Sequence, residues 1–224
     1  MSLDNRRKKT PFYNESTAMP SESLLAVARG DRPADLLLTN GRLVNVYSGE
    51  IQATDIAIAG DRIAGFGPRE AARIYDLKGR FVTPGFIDAH VHIESAMAAP
   101  SEFARAVLPY GTTTVAADPH EIANVLGTAG LEYMLAATEG QPLQFFFMLS
   151  SCVPSTHMET AGAVLAARHL APYLRHPRIL GLAEMMNFPG AIQGEADVMA
   201  KIKLAANAGK PVDGHAPGVG GRPF

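Results

Sequence analysis

The rhythm of apolar and polar positions changes twice along the chain. Residues 1–23 are polar, carry the basic run Arg6-Arg7-Lys8-Lys9, and are expected to form a flexible arm. Leu24, Leu25, Ala26, Val27 and Ala28 predict one short helix, stopped by Gly30. From there the apolar residues fall into short runs at 35–39, 42–47, 54–59, 62–66, 74–77 and 81–82. Asn40-Gly41, Ser48-Gly49 and Gly60-Asp61 separate the first four runs, and such pairs favour tight hairpins. Short strands with tight turns predict a small β-sandwich domain over 24–84.

After Val82-Thr83-Pro84-Gly85 the spacing lengthens, and strand-like runs alternate with helix-like ones. Strands are expected at 86–92, 112–117, 143–149, 179–183 and 210–214. Helices are expected at 100–108, 122–138 with a break near 127–130, 160–174, and 195–208. The run Phe145-Phe146-Phe147-Met148-Leu149 is apolar at every position, as a strand buried on both faces requires. Five strand–helix repeats in succession predict an α/β fold with a parallel sheet. The architecture expected for 85–224 is the first five βα units of a TIM-like (β/α)8 barrel. A complete barrel takes about 250 residues, so the barrel is expected to be truncated in this chain.

The totals narrow the function classes. A net charge of −2 gives no electrostatic argument for nucleic acid or an anionic membrane surface. No apolar run reaches transmembrane length, and the polar N-terminus lacks the apolar core of a secretion signal. Cys152 is the single cysteine, which excludes internal disulfides and cysteine-rich zinc sites. A cytoplasmic location is expected.

The chemistry collects at the ends of the predicted strands. His90 and His92 are two residues apart on a strand, so both point to one face and can reach one metal ion. Asp118 and His120 follow the second strand, Ser150 and Ser151 end the third, Glu184 ends the fourth, and His215 follows the fifth. Parallel barrels place their sites at the C-terminal ends of strands. Imidazole and carboxylate converging there suit zinc, iron or manganese, and Glu184 is placed to bridge two metals. Two metals sharing a hydroxide make a nucleophile at neutral pH. Each position also has a plainer reading. Asp88 either orients His90 or is a turn acid, and Asp118-Pro119-His120-Glu121 is either part of the site or a helix N-cap with an acidic first turn. Cys152 either fills space or lines the pocket. His157, His169 and His176 lie away from strand ends and read as surface residues. His120-Glu121-Ile122-Ala123-Asn124 lacks the second histidine of a zincin helix. No Pro-Cys-x-x-Cys follows His92-Ile93-Glu94, which excludes the cytidine-deaminase type of zinc site.

The hairpin-rich leader followed by Val82-Thr83-Pro84-Gly85-Phe86-Ile87-Asp88-Ala89-His90-Val91-His92 resembles the amidohydrolase superfamily. More narrowly, five blocks in order resemble the bacterial adenine deaminase family. They are His92 to Ser95, Asp118 to Val125, Leu149 to Pro154, Gly181 to Gly190 and Asp213 to Gly218. The resemblance implies hydrolytic deamination of adenine to hypoxanthine and ammonia by a metal-activated hydroxide at a binuclear centre of manganese, iron or zinc. It implies His90, His92, Glu184 and His215 as metal ligands. Glu184, His120 and Glu121 are the candidate catalytic groups, and Glu94, Ser151 and Asp118 the candidate substrate contacts. The family's sixth-strand histidine and eighth-strand aspartate have no counterpart in the chain. The partner implied is a small purine; no nucleic acid or membrane is expected, and open sheet edges point to a homo-oligomer. Two other readings stay open: a cyclic-amide hydrolase of the dihydroorotase or hydantoinase kind, against which Glu184 in place of lysine argues, and an inactive truncated fragment.

Overall fold

A computed structural model describes residues 21–156 and 158–222. The arm expected at 1–23 lies almost wholly outside the described residues, as does His157. The chain divides between Pro84 and Gly85 into two compact units.

The first unit opens with α1 (Glu22–Arg29). The Ser21 hydroxyl accepts from the Leu24 amide at 3.1 Å, and Gly30 ends the helix at φ 86°, a conformation that suits glycine. The strands are β1 (Leu36–Asn45), β2 (Glu50–Ala59), β3 (Arg62–Phe66), β4 (Ile74–Asp76) and β5 (Phe81–Val82). β1–β2 and β2–β3 are antiparallel hairpins, the second closed by Gly60-Asp61. β4 and β5 then return parallel to β1 along its other edge. The described residues therefore form one mixed five-stranded sheet where a sandwich was expected, because the last two strands extend the sheet instead of folding over its face. Val27, Ala34, Leu37, Ala57 and Ala59 form a buried cluster.

Asn40-Gly41 is likewise no hairpin. β1 runs through it with a shift in register, and Asn40 takes a left-handed φ of 54°. Asp55 Oδ1 accepts the Asn40 amide at 3.2 Å, and Asp76 Oδ1 accepts the Asn40 side-chain amide at 2.9 Å. The dipeptide supplies a bulge in a long strand, a second use of the same left-handed preference.

The second unit contains β6 (Phe86–Val91), α2 (Pro100–Val107), β7 (Thr112–Ala117), α3 (His120–Leu126), α4 (Thr128–Ala137), β8 (Gln144–Ser150), α5 (Ala167–Leu170), β9 (Ile179–Met185), α6 (Phe188–Gln193), α7 (Ala196–Asn207) and β10 (Val212–Gly214). All neighbouring strands pair in parallel, in the order β10-β9-β8-β7-β6. Each strand lies beside its predecessor, which is the winding of a parallel half-barrel. β8 is the central strand: Phe145, Phe147 and Leu149 are buried in one large core with Val115, Leu131, Met134, Leu170, Leu182 and Val198. β6 is an edge strand and exposes Phe86 and Ile87.

The helix expected at 160–174 is mostly absent. Only α5 and a 3-10 turn over Ala171–Arg175 form. The Gly162 amide donates to Asn124 O, and the Leu165 amide to Val153 O, so the chain is drawn against α3 and the β8 exit. A Cβ at Gly162 would lie 2.2 Å from Val125 O, which makes glycine necessary at this approach. α6 was not expected; the Asn187 side chain caps it by accepting from the Gly190 amide at 3.0 Å.

Candidate metal centre

Strand period brings the two histidines together. His90 is the penultimate residue of β6 and His92 follows its end. Their Nε2 atoms lie 3.2 Å apart, with the rings edge to face. Asp88 supports the backbone instead of the ring: its Oδ1 accepts from the His90 amide at 3.2 Å. From β9, Glu184 Oε1 lies 3.1 Å from His90 Nε2, 3.5 Å from His92 Nε2 and 3.3 Å from His215 Nε2. Three imidazoles from two strand ends thus face one carboxylate oxygen of a third strand. Glu184 adopts φ 39°, a strained value for a residue with a side chain. Asp213 Oδ1 accepts the Glu184 amide at 2.7 Å and holds that backbone.

Beside this group lies a buried second one. Asp118 is fully buried and His120 is 9% exposed. Asp118 Oδ1 accepts the Ser150 hydroxyl at 2.5 Å, and Oδ2 lies 3.3 Å from His120 Nδ1. His120 Nδ1 also lies 3.8 Å from Glu184 Oε2. The N-cap of α3 is Pro119, so Asp118 is not the helix cap. Glu94 does that work from a distance: its Oε1 accepts from the Ile122 amide at 3.2 Å.

The hydrogen bonds fix which ring nitrogens carry protons. His92 Nδ1 faces the Asp118 carbonyl at 2.9 Å, and His120 Nε2 faces the Cys152 carbonyl at 2.8 Å. A carbonyl only accepts, so both nitrogens are N–H groups. In a neutral ring the other nitrogen is then a lone pair. His92 Nε2 turns that lone pair toward His90 and Glu184, and His120 Nδ1 turns its own toward Asp118 and Glu184. Lone pairs facing carboxylate oxygens need a proton or a cation between them. His90, His92 and Glu184 offer ligand atoms within 4.8 Å of one another, and so do Asp118, His120 and Glu184. This nitrogen–oxygen donor set fits zinc, iron or manganese.

The titrations reflect the same crowding. Burial alone would lower the pKa of His92, but Glu121, Asp118 and Glu184 outweigh it and hold it above the usual value. Burial also works against protonation of His120, and Asp118, by hydrogen bond and charge, prevails and raises it. Burial would raise Glu184; the charges of His92, His90 and His120 and the hydrogen bond to His215 hold it low instead. Glu94 is pushed up by burial, and its Oε2 has no hydrogen-bond partner among the described residues.

The structure therefore brings His90, His92, Glu184, His215, Asp118 and His120 into one cluster, with Glu121 Oε2 at its margin 3.2 Å from His92 Nδ1. The Ser95 hydroxyl donates to Glu121 Oε1 at 2.9 Å and orients it. Ser151 is not brought in. It is fully buried, and its hydroxyl faces Cys152 Sγ and Met185 Sδ. Cys152 is buried beside it and fills space in the core. Sequence reasoning missed Asp213 and Ser95 as supports, and placed Ser150 at a strand end without a role. Asp213, two residues before His215 in an extended run, carried a usable signal; Ser95 carried none.

A parallel half-barrel with histidines and carboxylates at its strand ends places the donor atoms of a candidate metal site together. The chain belongs to the Amidohydrolase family, whose family model matches residues 81–222. Members of this family use metal centres. The chain is 54% identical over 203 residues to an adenine deaminase of Desulfatibacillum aliphaticivorans, covering 91% of this chain and 36% of that protein. It is 54% identical over 204 residues to an adenine deaminase of Methanothrix thermoacetophila, again covering 91% and 36%. The chain thus spans about a third of the length of the curated relatives it matches. A solved structure of N-acyl-D-glutamate deacylase from Bordetella bronchiseptica, complexed with zinc and a phosphonate inhibitor, aligns with a TM-score of 0.58 at 18% identity, over 82% of this chain and 45% of that one. That likeness concerns the fold.

Proposed function

We propose that this chain carries the metal-binding part of an adenine deaminase, which hydrolyses adenine to hypoxanthine and ammonia. The observation that carries the reading is the convergence of His90, His92 and His215 on Glu184 Oε1, in a chain 54% identical to proteins of that name. His90, His92, Glu184 and His215 would hold a binuclear centre of manganese, iron or zinc. When bound, such a centre lowers the pKa of water and polarises the bond under attack. Water adds at C6 of the purine, and the C6–N bond breaks to release ammonia. Glu184, held as a carboxylate, accepts the proton that the water gives up. His120, whose Nδ1 lies 3.8 Å from Glu184 Oε2, takes that proton on and passes it to the departing amine. Glu121 keeps His92 oriented. Glu94, with one oxygen unpartnered among the described residues, contacts the purine, while the buried Asp118 holds His120 and Ser151 supports the site from behind.

The domain reading is a small β-rich unit over 24–84 and the first five units of a (β/α)8 barrel over 85–224. Exposed Phe86 and Ile87 on the edge strand β6 favour a homo-oligomer. Among the described residues no helix is long and apolar enough to cross a membrane. The absence of disulfide-forming cysteine pairs favours the cytoplasm. The test is turnover by protein reconstituted with manganese, iron or zinc. Conversion of adenine to hypoxanthine, followed by ultraviolet absorbance, is expected. Hydrolysis of hydantoin or dihydroorotate without adenine turnover replaces the reading.

A further inference from the structure

The buried face of α7 contains one residue out of keeping with its neighbours. Val198, Lys201 and Ala205 share that face, and Lys201 is only 7% exposed. A methionine or leucine would fill this space without burying a charge, and a charge in the interior is costly unless paired and hydrogen-bonded. Lys201 is both. Its Nζ lies 2.8 Å from Asp197 Oδ2, one turn back, and donates to Ser151 O at 2.8 Å. Asp197 Oδ1 in turn accepts the Ala167 amide at the start of α5, at 3.1 Å.

The carbonyl that Lys201 holds lies at the end of β8, between two residues that grip the site. Ser150 donates its hydroxyl to Asp118, and the Cys152 carbonyl accepts from His120 Nε2. The Ser151 amide donates to Ala183 O of β9, immediately before Glu184. Three consecutive residues therefore connect α7 to Asp118, to His120 and to the strand that carries Glu184.

We propose that Lys201 is a positioning residue for the metal centre. Its ammonium fixes the Ser151 carbonyl, so that Cys152 keeps His120 with its proton on Nε2 and Nδ1 toward Asp118 and Glu184. The reading of these groups as a metal centre underlies the proposal, but the tautomer of His120 can be observed without metal or turnover. The test uses protein labelled with 15N in the histidine rings, with ring spectra and a zinc titration on the wild type, Lys201→Met and Asp197→Asn. Lys201→Met is expected to shift the His120 ring pattern away from the Nε2–H form and to weaken zinc binding on the order of tenfold. Asp197→Asn removes the ion pair but keeps the bond to Ser151, so it should lower the melting temperature and leave the His120 pattern unchanged. A folded Lys201→Met protein with the wild-type His120 pattern and zinc affinity overturns the proposal. A second measurement needs no variant to fold. The wild-type Lys201 ammonium should give an exchange-protected signal, and exchange as fast as that of surface lysines overturns the proposal equally. If the His120 pattern shifts although the wild type binds no zinc, the positioning role stands and the metal reading falls.

Discussion

Glu184 is the residue on which the site depends, and its surroundings say what each neighbour contributes. His90 lies 3.1 Å from its Oε1 on a half-exposed edge, so removing that ring should leave the fold intact and delete one candidate ligand. His90→Ala should lose bound metal, read as metal per chain by plasma mass spectrometry, with an unchanged circular dichroism spectrum; unchanged stoichiometry refutes the assignment. Glu121 acts one step removed, through His92 Nδ1. Glu121→Gln keeps the shape and removes the charge that favours the Nδ1–H form. Metal affinity should fall by about 10- to 100-fold by calorimetry. His90 and His92 were legible in the sequence because strand period alone puts them on one face. Glu184 and His215 were legible once the strand ends were laid side by side. The contacts of Asp213, Ser95 and Ser150 were not, because their partners are 26 to 32 residues distant and no periodicity links one element's side chain to another's.

Periodicity was most informative where an element buries a regular face, and failed where a tertiary contact set the backbone. The five parallel strands fall where alternating and continuous apolar runs predicted, because each is bounded by glycine or proline. The segment 160–174 has helical composition, yet Gly162 and Leu165 spend their amides on α3 and the β8 exit. Nothing local in the sequence signals those partners. Asn40-Gly41 shows the same limit: a left-handed preference marks a bend but does not say whether a turn or a bulge follows. The helix pair α3–α4 gives a test at this scale. A Cβ at Gly130 would lie 2.7 Å from Ile122 O and 2.9 Å from its carbonyl carbon. Alanine gains about 1 kcal/mol in helix propensity, whereas forcing atoms into a packed contact costs about 1–3 kcal/mol. Gly130→Ala should therefore lower the denaturation midpoint despite its better helix propensity, and a higher midpoint would show that the two helices can separate at no cost.

For the molecule as a whole, proton and metal linkage follow from where the charges lie. Asp197 is half-exposed, and although burial would raise its pKa, the bonds from Lys201 and the Ala167 amide hold it below the ordinary 3.8. A carboxyl depressed in the folded state contributes stability that is fully present above the unfolded value and is lost as pH falls through the folded one. The melting temperature should therefore drop between about pH 5 and pH 3, and Asp197→Asn should flatten that drop while leaving the protein less stable at neutral pH. Metal acts in the opposite sense. Every candidate ligand, from His90 to His215, belongs to the second unit. A metal at 100 times its Kd stabilises the state that binds it by about 2.7 kcal/mol. In a cooperative unit of this size that is a rise of roughly 5–10 °C in melting temperature, reversible by a chelator. The first unit holds none of these groups, so hydrogen exchange should slow at the ends of β6, β7, β9 and β10 and stay unchanged in β1 to β3. Equal slowing in both units would mean that the ion binds elsewhere, and an identical thermal shift in His90→Ala would mean that this histidine is no ligand.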